Sequence, residues 1–123
     1  MTRFAVAGTL AALAFAGAAY AQTPAVYTWT GMGVNVPGSS KCPTYEMTIE
    51  VTVNGKEVKG LFQQKGRDQR HFETQLGKEG KIKTAAIVGG GNMMDVIGVI
   101  NDKEQKILLN GYCKFEGPLT KKQ

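Results

Sequence analysis

The strongest regularity in the chain lies in residues 45–62, YEMTIEVTVNGKEVKGLF, where Tyr45, Met47, Ile49, Val51 and Val53 alternate with Glu46, Thr48, Glu50 and Thr52. A period of two places one set of side chains on a buried face and the other in water, which is the signature of a half-buried strand. Asn54-Gly55 suits a two-residue type I′ turn, so the segment predicts a hairpin. With these two residues at the turn, Val51 faces Val58, Ile49 faces Gly60 and Met47 faces Phe62, while Glu50 meets Lys59 on the wet side.

The same alternation predicts a second hairpin over RHFETQLGKEGKIKTAAIV, residues 70–88, with Gly80 in the left-handed position of a three-residue turn. Leu76 then lies beside Ile82, Thr74 beside Thr84 and Phe72 beside Ala86, and His71, Glu73, Gln75, Lys81 and Lys83 point to water. A third hairpin joins MMDVIGVI to KILLNGYCKF across the polar link 101–105, and VYTWTGMG ahead of all three reads as a first strand. Residues 31–44 form one long irregular segment, and EGPLTKKQ reads as a loose terminus. No convincing 3.6-residue apolar repeat follows residue 22.

These elements predict an all-β fold, a small antiparallel up-and-down meander of seven or eight strands. Closure as a barrel removes exposed sheet edges; a two-sheet sandwich is the alternative.

The first 21 residues change the setting. Arg3 precedes an apolar, Ala-rich run of about 15 residues that ends in Ala19-Tyr20-Ala21, small residues at the two positions a signal peptidase reads. The run is shorter and less apolar than the roughly 20 residues a membrane-spanning helix needs. Residues 1–21 are thus expected to be a cleaved signal peptide and 22–123 a single secreted β-domain, periplasmic or released, without a transmembrane anchor. In an oxidising compartment Cys42 and Cys113, the two cysteines of the chain, are expected to pair as one structural disulfide. Of the 15 Lys and Arg residues only Arg3 lies in the leader, leaving 14 against 10 acids, a mature net charge of about +4. That balance permits an anionic surface as partner, and export argues against nucleic acid.

Candidate chemistry is sparse. The segment AAIVGGGNMMDV places Gly89, Gly90, Gly91 and Asn92 between apolar runs, but a phosphate loop opens a helix, whereas β-branched Val96, Ile97, Val99 and Ile100 follow here. The glycines read as a connection between the second and third hairpins, with a small-anion nest as the residual alternative. His71 is the single histidine, Ser39 and Ser40 have no identifiable base, Asp68, Asp95 and Asp102 sit at strand ends or turns, and no ligand-rich metal loop occurs. The expectation is a binding or interaction protein without catalytic activity and without a cofactor or metal.

Three surfaces are candidates. Both faces of the third hairpin are apolar, so when Met94, Val96 and Ile100 point inward, Ile97, Val99, Leu108 and Tyr112 form an outward strip suited to another protein or to self-association. A barrel interior lined by Trp29, Tyr45, Met47, Phe62 and Met94 would suit a carrier of a small apolar ligand. Lys65, Arg67 and Arg70, with Lys81 and Lys83, form a candidate anion site. In outline, a one-disulfide β-meander ending in the Cys113 strand, GYCKF, resembles the periplasmic C-type lysozyme inhibitors, which implies a hydrolase inhibitor as a further alternative. Cys42 departs from that plan by following a long loop, and no inhibitory residue is carried over.

Overall fold

The computed structural model describes residues 23–122; the predicted leader lies outside them. The strands are β1 (Ala25–Met32), β2 (Glu46–Asn54), β3 (Glu57–Gln64), β4 (Arg70–Gln75), β5 (Lys81–Ile87), β6 (Met93–Ile100), β7 (Gln105–Asn110), β8 (Lys114–Pro118) and β9 (Thr120–Lys121). They build two antiparallel sheets, one ordered β4-β3-β2-β1-β9 and the other β5-β6-β7-β8. The fold is therefore all-β, as expected, with nine strands among the described residues in place of seven or eight; they form two antiparallel sheets and no closed barrel, so the sandwich alternative fits better than the barrel.

The reason lies at two places where the chain changes sheet. β4 and β5 do not pair; β4 pairs with β3, Gly60 opposite Phe72, and β5 pairs with β6, Ile82 opposite Gly98. The expected neighbours Leu76–Ile82, Thr74–Thr84 and Phe72–Ala86 are thus replaced by pairings within separate layers. Between the two strands Glu79 has φ 60° and Gly80 φ 78°, two left-handed residues in succession that swing the chain out of the first sheet. A Cβ on Gly80 would also stand 2.1 Å from the Ile100 carbonyl oxygen, so this corner needs glycine for its conformation and for its close approach. The second change is from β8 to β9, where Leu119 is buried between the strands. β9 then pairs with β1 and the Lys122 amide donates to the Val26 carbonyl at 2.7 Å, so the tail that reads as loose is an ordered edge.

The first hairpin forms with its register moved by two residues: Val53 faces Val58, Val51 faces Gly60 and Ile49 faces Phe62. Gly55, at φ 65°, takes the first central position of the turn and Lys56 the second, in place of Asn54-Gly55. A shift of two keeps every side chain on its expected face. It separates Glu50 from Lys59, which find exposed partners in Lys122 at 3.9 Å and Glu73 at 3.8 Å. The third hairpin pairs β6 with β7 as expected, closed by Asn101, whose side-chain oxygen accepts from the Lys103 and Glu104 amides. KILLNGYCKF, however, is not the one strand expected: it turns back at residues 111–113, where the Gly111 amide donates to the Cys113 carbonyl, and its end pairs with its start as β8 against β7.

The core is the space between the layers. Ile49, Val51, Val58, Phe62 and Phe72 come from one sheet; Ile82, Val96, Ile107, Leu109 and Phe115 come from the other; all are essentially inaccessible to water. Burial of each such side chain contributes roughly 1.5–3 kcal/mol before entropy is subtracted. Cys42 and Cys113 are bonded, 71 residues apart in sequence, and tie the segment after β1 to the turn before β8. The isolated bridge between Val34 and Lys114 seals the same side of the sandwich.

Candidate functional site

In the four-stranded sheet, the register of the pairings fixes which residues stand side by side on the outer face. Across β5, β6, β7 and β8 one row reads Lys81, Val99, Lys106, Pro118. The next reads Lys83, Ile97, Leu108, Glu116, and the third Ala85, Asp95, Asn110, Lys114. Ile87 and Met93 begin a fourth row at the end of β5 and β6. The inner rows carry Ile82, Val96, Ile107 and Leu109, so the inner face is apolar throughout, while the outer face carries an apolar strip along β6 and β7 between charged positions. One face is buried against the other sheet; the other is open among the described residues.

Exposure concentrates where the rows meet β6. Ile87 is 64%, Met93 60% and Ile97 42% accessible, Val99 and Leu108 are half-buried beside them, and Tyr112 is 72% accessible in the turn after β7. Large side chains left this open cost free energy unless another surface covers them. Lys81, Lys83, Lys106 and Lys114 with Asp95 and Glu116 frame the strip, and Lys106 holds Glu104 at 3.4 Å. The structure thus brings Ile97, Val99 and Leu108 together with Tyr112 at the margin, and adds Ile87 and Met93. Those two escape a reading of the sequence because it pairs β5 with β4, which hides the contact between β5 and β6.

The outer face of the five-stranded sheet is different. Its rows hold Thr28, Glu50, Leu61 and His71, or Val26, Thr52, Lys59 and Glu73, so polar side chains dominate. Leu61 is its one large apolar residue with substantial exposure at mid-sheet.

The five residues considered as a ligand wall are not gathered around a chamber. Met47, Phe62 and Met94 are core residues, with the Phe62 ring 6.4 Å from that of Phe72. Trp29 lies flat along its own strand and against the other sheet, so that a Cβ on Gly117 would fall 1.9 Å from its Nε1. Tyr45 lines a solvent-open depression of about 250 Å³ with Met32, Thr44, Glu46 and Lys65. A second depression, about 160 Å³, touches Phe62, Leu61 and Gln69. Both are smaller than the roughly 300–1,000 Å³ of ordinary small-molecule sites.

The basic candidates are divided as well. Lys65 and Arg67 belong to the β3–β4 turn of the five-stranded sheet, whereas Lys81 and Lys83 stand on the outer face of the other. Arg70 is half-buried and reaches the glycine loop, its Nη2 3.6 Å from where a Cβ on Gly89 would be. That loop, residues 89–91, closes the β5–β6 hairpin, with the Val88 amide bonded to the Asn92 carbonyl and the Asn92 side chain donating to the Gly89 carbonyl. His71 is exposed on β4, facing Leu61 across the ladder. Among the described residues no group of three or more His, Cys, Asp or Glu is placed to hold a metal, and no helix is long and apolar enough to cross a membrane.

Comparison of the chain with protein-family models, with curated proteins and with solved structures finds no match in any of the three.

Proposed function

We propose that this chain is an exported interaction module that works by covering the outer face of its four-stranded sheet, without catalysis. One observation carries the reading: Ile87, Met93 and Ile97 stand exposed in register beside Val99 and Leu108 on a sheet whose opposite face already supplies the core. A sheet that needs only one apolar face to fold carries an apolar strip on the other for another purpose. The Cys42–Cys113 bond fits an oxidising compartment, which supports a periplasmic or secreted location.

Methionine footprinting tests this directly, because Met93 is exposed and its neighbour Met94 is 7% accessible and serves as an internal control. In an undiluted extract of its native compartment, or with the purified chain at about one millimolar, oxidation of Met93 is expected to slow at least severalfold relative to the dilute purified chain. Ile97→Glu should remove that protection while leaving the melting curve unchanged, since the new carboxylate stands beside Lys83. Met93 oxidation that stays at the dilute rate both in the extract and with the chain at about one millimolar would refute the reading.

A further inference from the structure

We infer that the occupant of this face is a second copy of the same chain, packed face to face about a two-fold axis that runs parallel to the strands between β6 and β7. The inference rests on the binding role proposed above and adds the partner.

The argument is the charge pattern of the rows. A two-fold axis along the strands keeps each row at its own level and reverses its order, so the first position of a row meets the last. In the row Lys83, Ile97, Leu108, Glu116, the lysine then meets Glu116 of the partner subunit, and Ile97 meets Leu108 of the partner subunit. Each such contact occurs twice. In the row above, Val99 lies against the aliphatic stem of Lys106 of the partner subunit, and Lys81 meets Pro118 of the partner subunit. Below, Asp95 meets Asn110 of the partner subunit, an acceptor opposite a donor amide, and Ala85 meets Lys114 of the partner subunit. No like charges meet in any row. The other two-fold arrangement, with the axis across the strands, presses the Asp95 carboxylate onto Val99 and leaves Lys83 without an acid. Four lysines against two acids on the face count against the pairing; Lys106 is offset by Glu104 within its own chain, and Lys81 and Lys114 are the first residues of the two edge strands, at the corners of the face, whereas Lys83 and Glu116 stand further along the same strands.

Size sets the strength. Strands of five to eight residues, spaced about 4.8 Å apart, give a face of roughly 20 by 20 Å. Two such faces cover about 800 Å² in total, below the standard size of a stable complex. The expected dimer is accordingly weak and reversible, with a dissociation constant in the micromolar range or above.

Sedimentation of the purified chain from about ten micromolar to about one millimolar tests the pairing. The wild type should pass reversibly from monomer to dimer. Lys83→Glu and Glu116→Lys should each weaken the dimer roughly ten- to thirtyfold, because an attraction made twice becomes a repulsion made twice. The combined swap should return the constant to within about threefold of wild type. Lys83 and Glu116 lie on the opposite edges of the sheet, three strands apart, so such recovery has to arise between chains. Circular dichroism melts of all three variants check that each is folded. A monomer throughout, or a dimer that the swap does not rescue, overturns the inference. So does a monomeric wild type whose face binds a different protein, or vesicles of anionic phospholipid, in a manner abolished by Ile97→Glu; that outcome leaves the proposed function standing. If Met93 is also unprotected both in the extract and with the chain at about one millimolar, both fall.

Discussion

Replacing Gly117 with alanine probes the join between the two layers. Gly117 lies on β8 opposite Ile107, with its missing side chain directed at the single tryptophan of the chain. An added Cβ would sit 1.9 Å from Nε1, 2.6 Å from Cδ1 and 2.7 Å from Cε2 of Trp29, well inside van der Waals contact. The indole has no simple retreat, because its far edge already lies 2.4 Å from the Cβ position of Gly31 on its own strand. Either the ring leaves its rotamer or the sheets part locally. Overpacking of this kind costs typically 1–3 kcal/mol, and releasing about 50–100 Å² of apolar indole surface to water adds roughly 1–2.5 kcal/mol at about 25 cal/mol per Å². We expect a loss of about 2–5 kcal/mol in urea unfolding, with a red shift and altered intensity of tryptophan emission in the folded state. Gly55→Ala is the control: it meets nothing within 4 Å and strains only a positive φ, so it should cost about 1 kcal/mol and leave the emission unchanged. An unshifted emission spectrum with a loss below about 0.5 kcal/mol in Gly117→Ala would refute this account of how the layers meet.

Two other perturbations follow from the same geometry. Removing the disulfide by Cys42→Ala with Cys113→Ala frees a loop spanning 71 residues, and the chain-entropy relation gives a loss of about 4 kcal/mol, to be read as a lowered urea midpoint that added reductant does not lower further. Gly80→Ala should cost more than about 2 kcal/mol, since it strains φ 78° and drives a Cβ to 2.1 Å from the Ile100 carbonyl oxygen; thermal melting measures it, and a loss under about 1 kcal/mol would show that the corner between the sheets is not held as described.

Much of the fold is legible in the residue pattern. The alternation in residues 45–53 places Met47, Ile49 and Val51 inward, and all three are buried. Gly80 is read as left-handed and is so. The outward strip Ile97, Val99, Leu108 is read from parity alone and lies on one face. What fails is pairing. Gly55 takes the first turn position because one residue with positive φ suffices there, which moves the β2–β3 ladder by two without changing any face. The segment around Gly80 is read as a hairpin and is a corner between the sheets; the residue pattern does not separate the two, since both put Phe72, Ile82 and Ala86 on the buried side. Ile87 and Met93 are missed for the same reason, their partners being set by a sheet that the pattern assigns differently.

The order of residues along the chain therefore determined which faces of the strands are buried, most but not all of the places where the chain reverses, and which two thiols join; the reversals at residues 111–113 and at Leu119 are not read from it. These are local properties: they follow from a period of two, from residues that tolerate positive φ and from there being one possible bond. Which strand lies beside which, and so the choice of two stacked layers over a closed tube, was decided only by the tertiary structure. Each strand's apolar face is satisfied equally by a neighbour in its own sheet or by a strand across the interlayer space, and packing of the whole set, with Trp29 fitted onto Gly117 and Gly80 onto Ile100, selects between them.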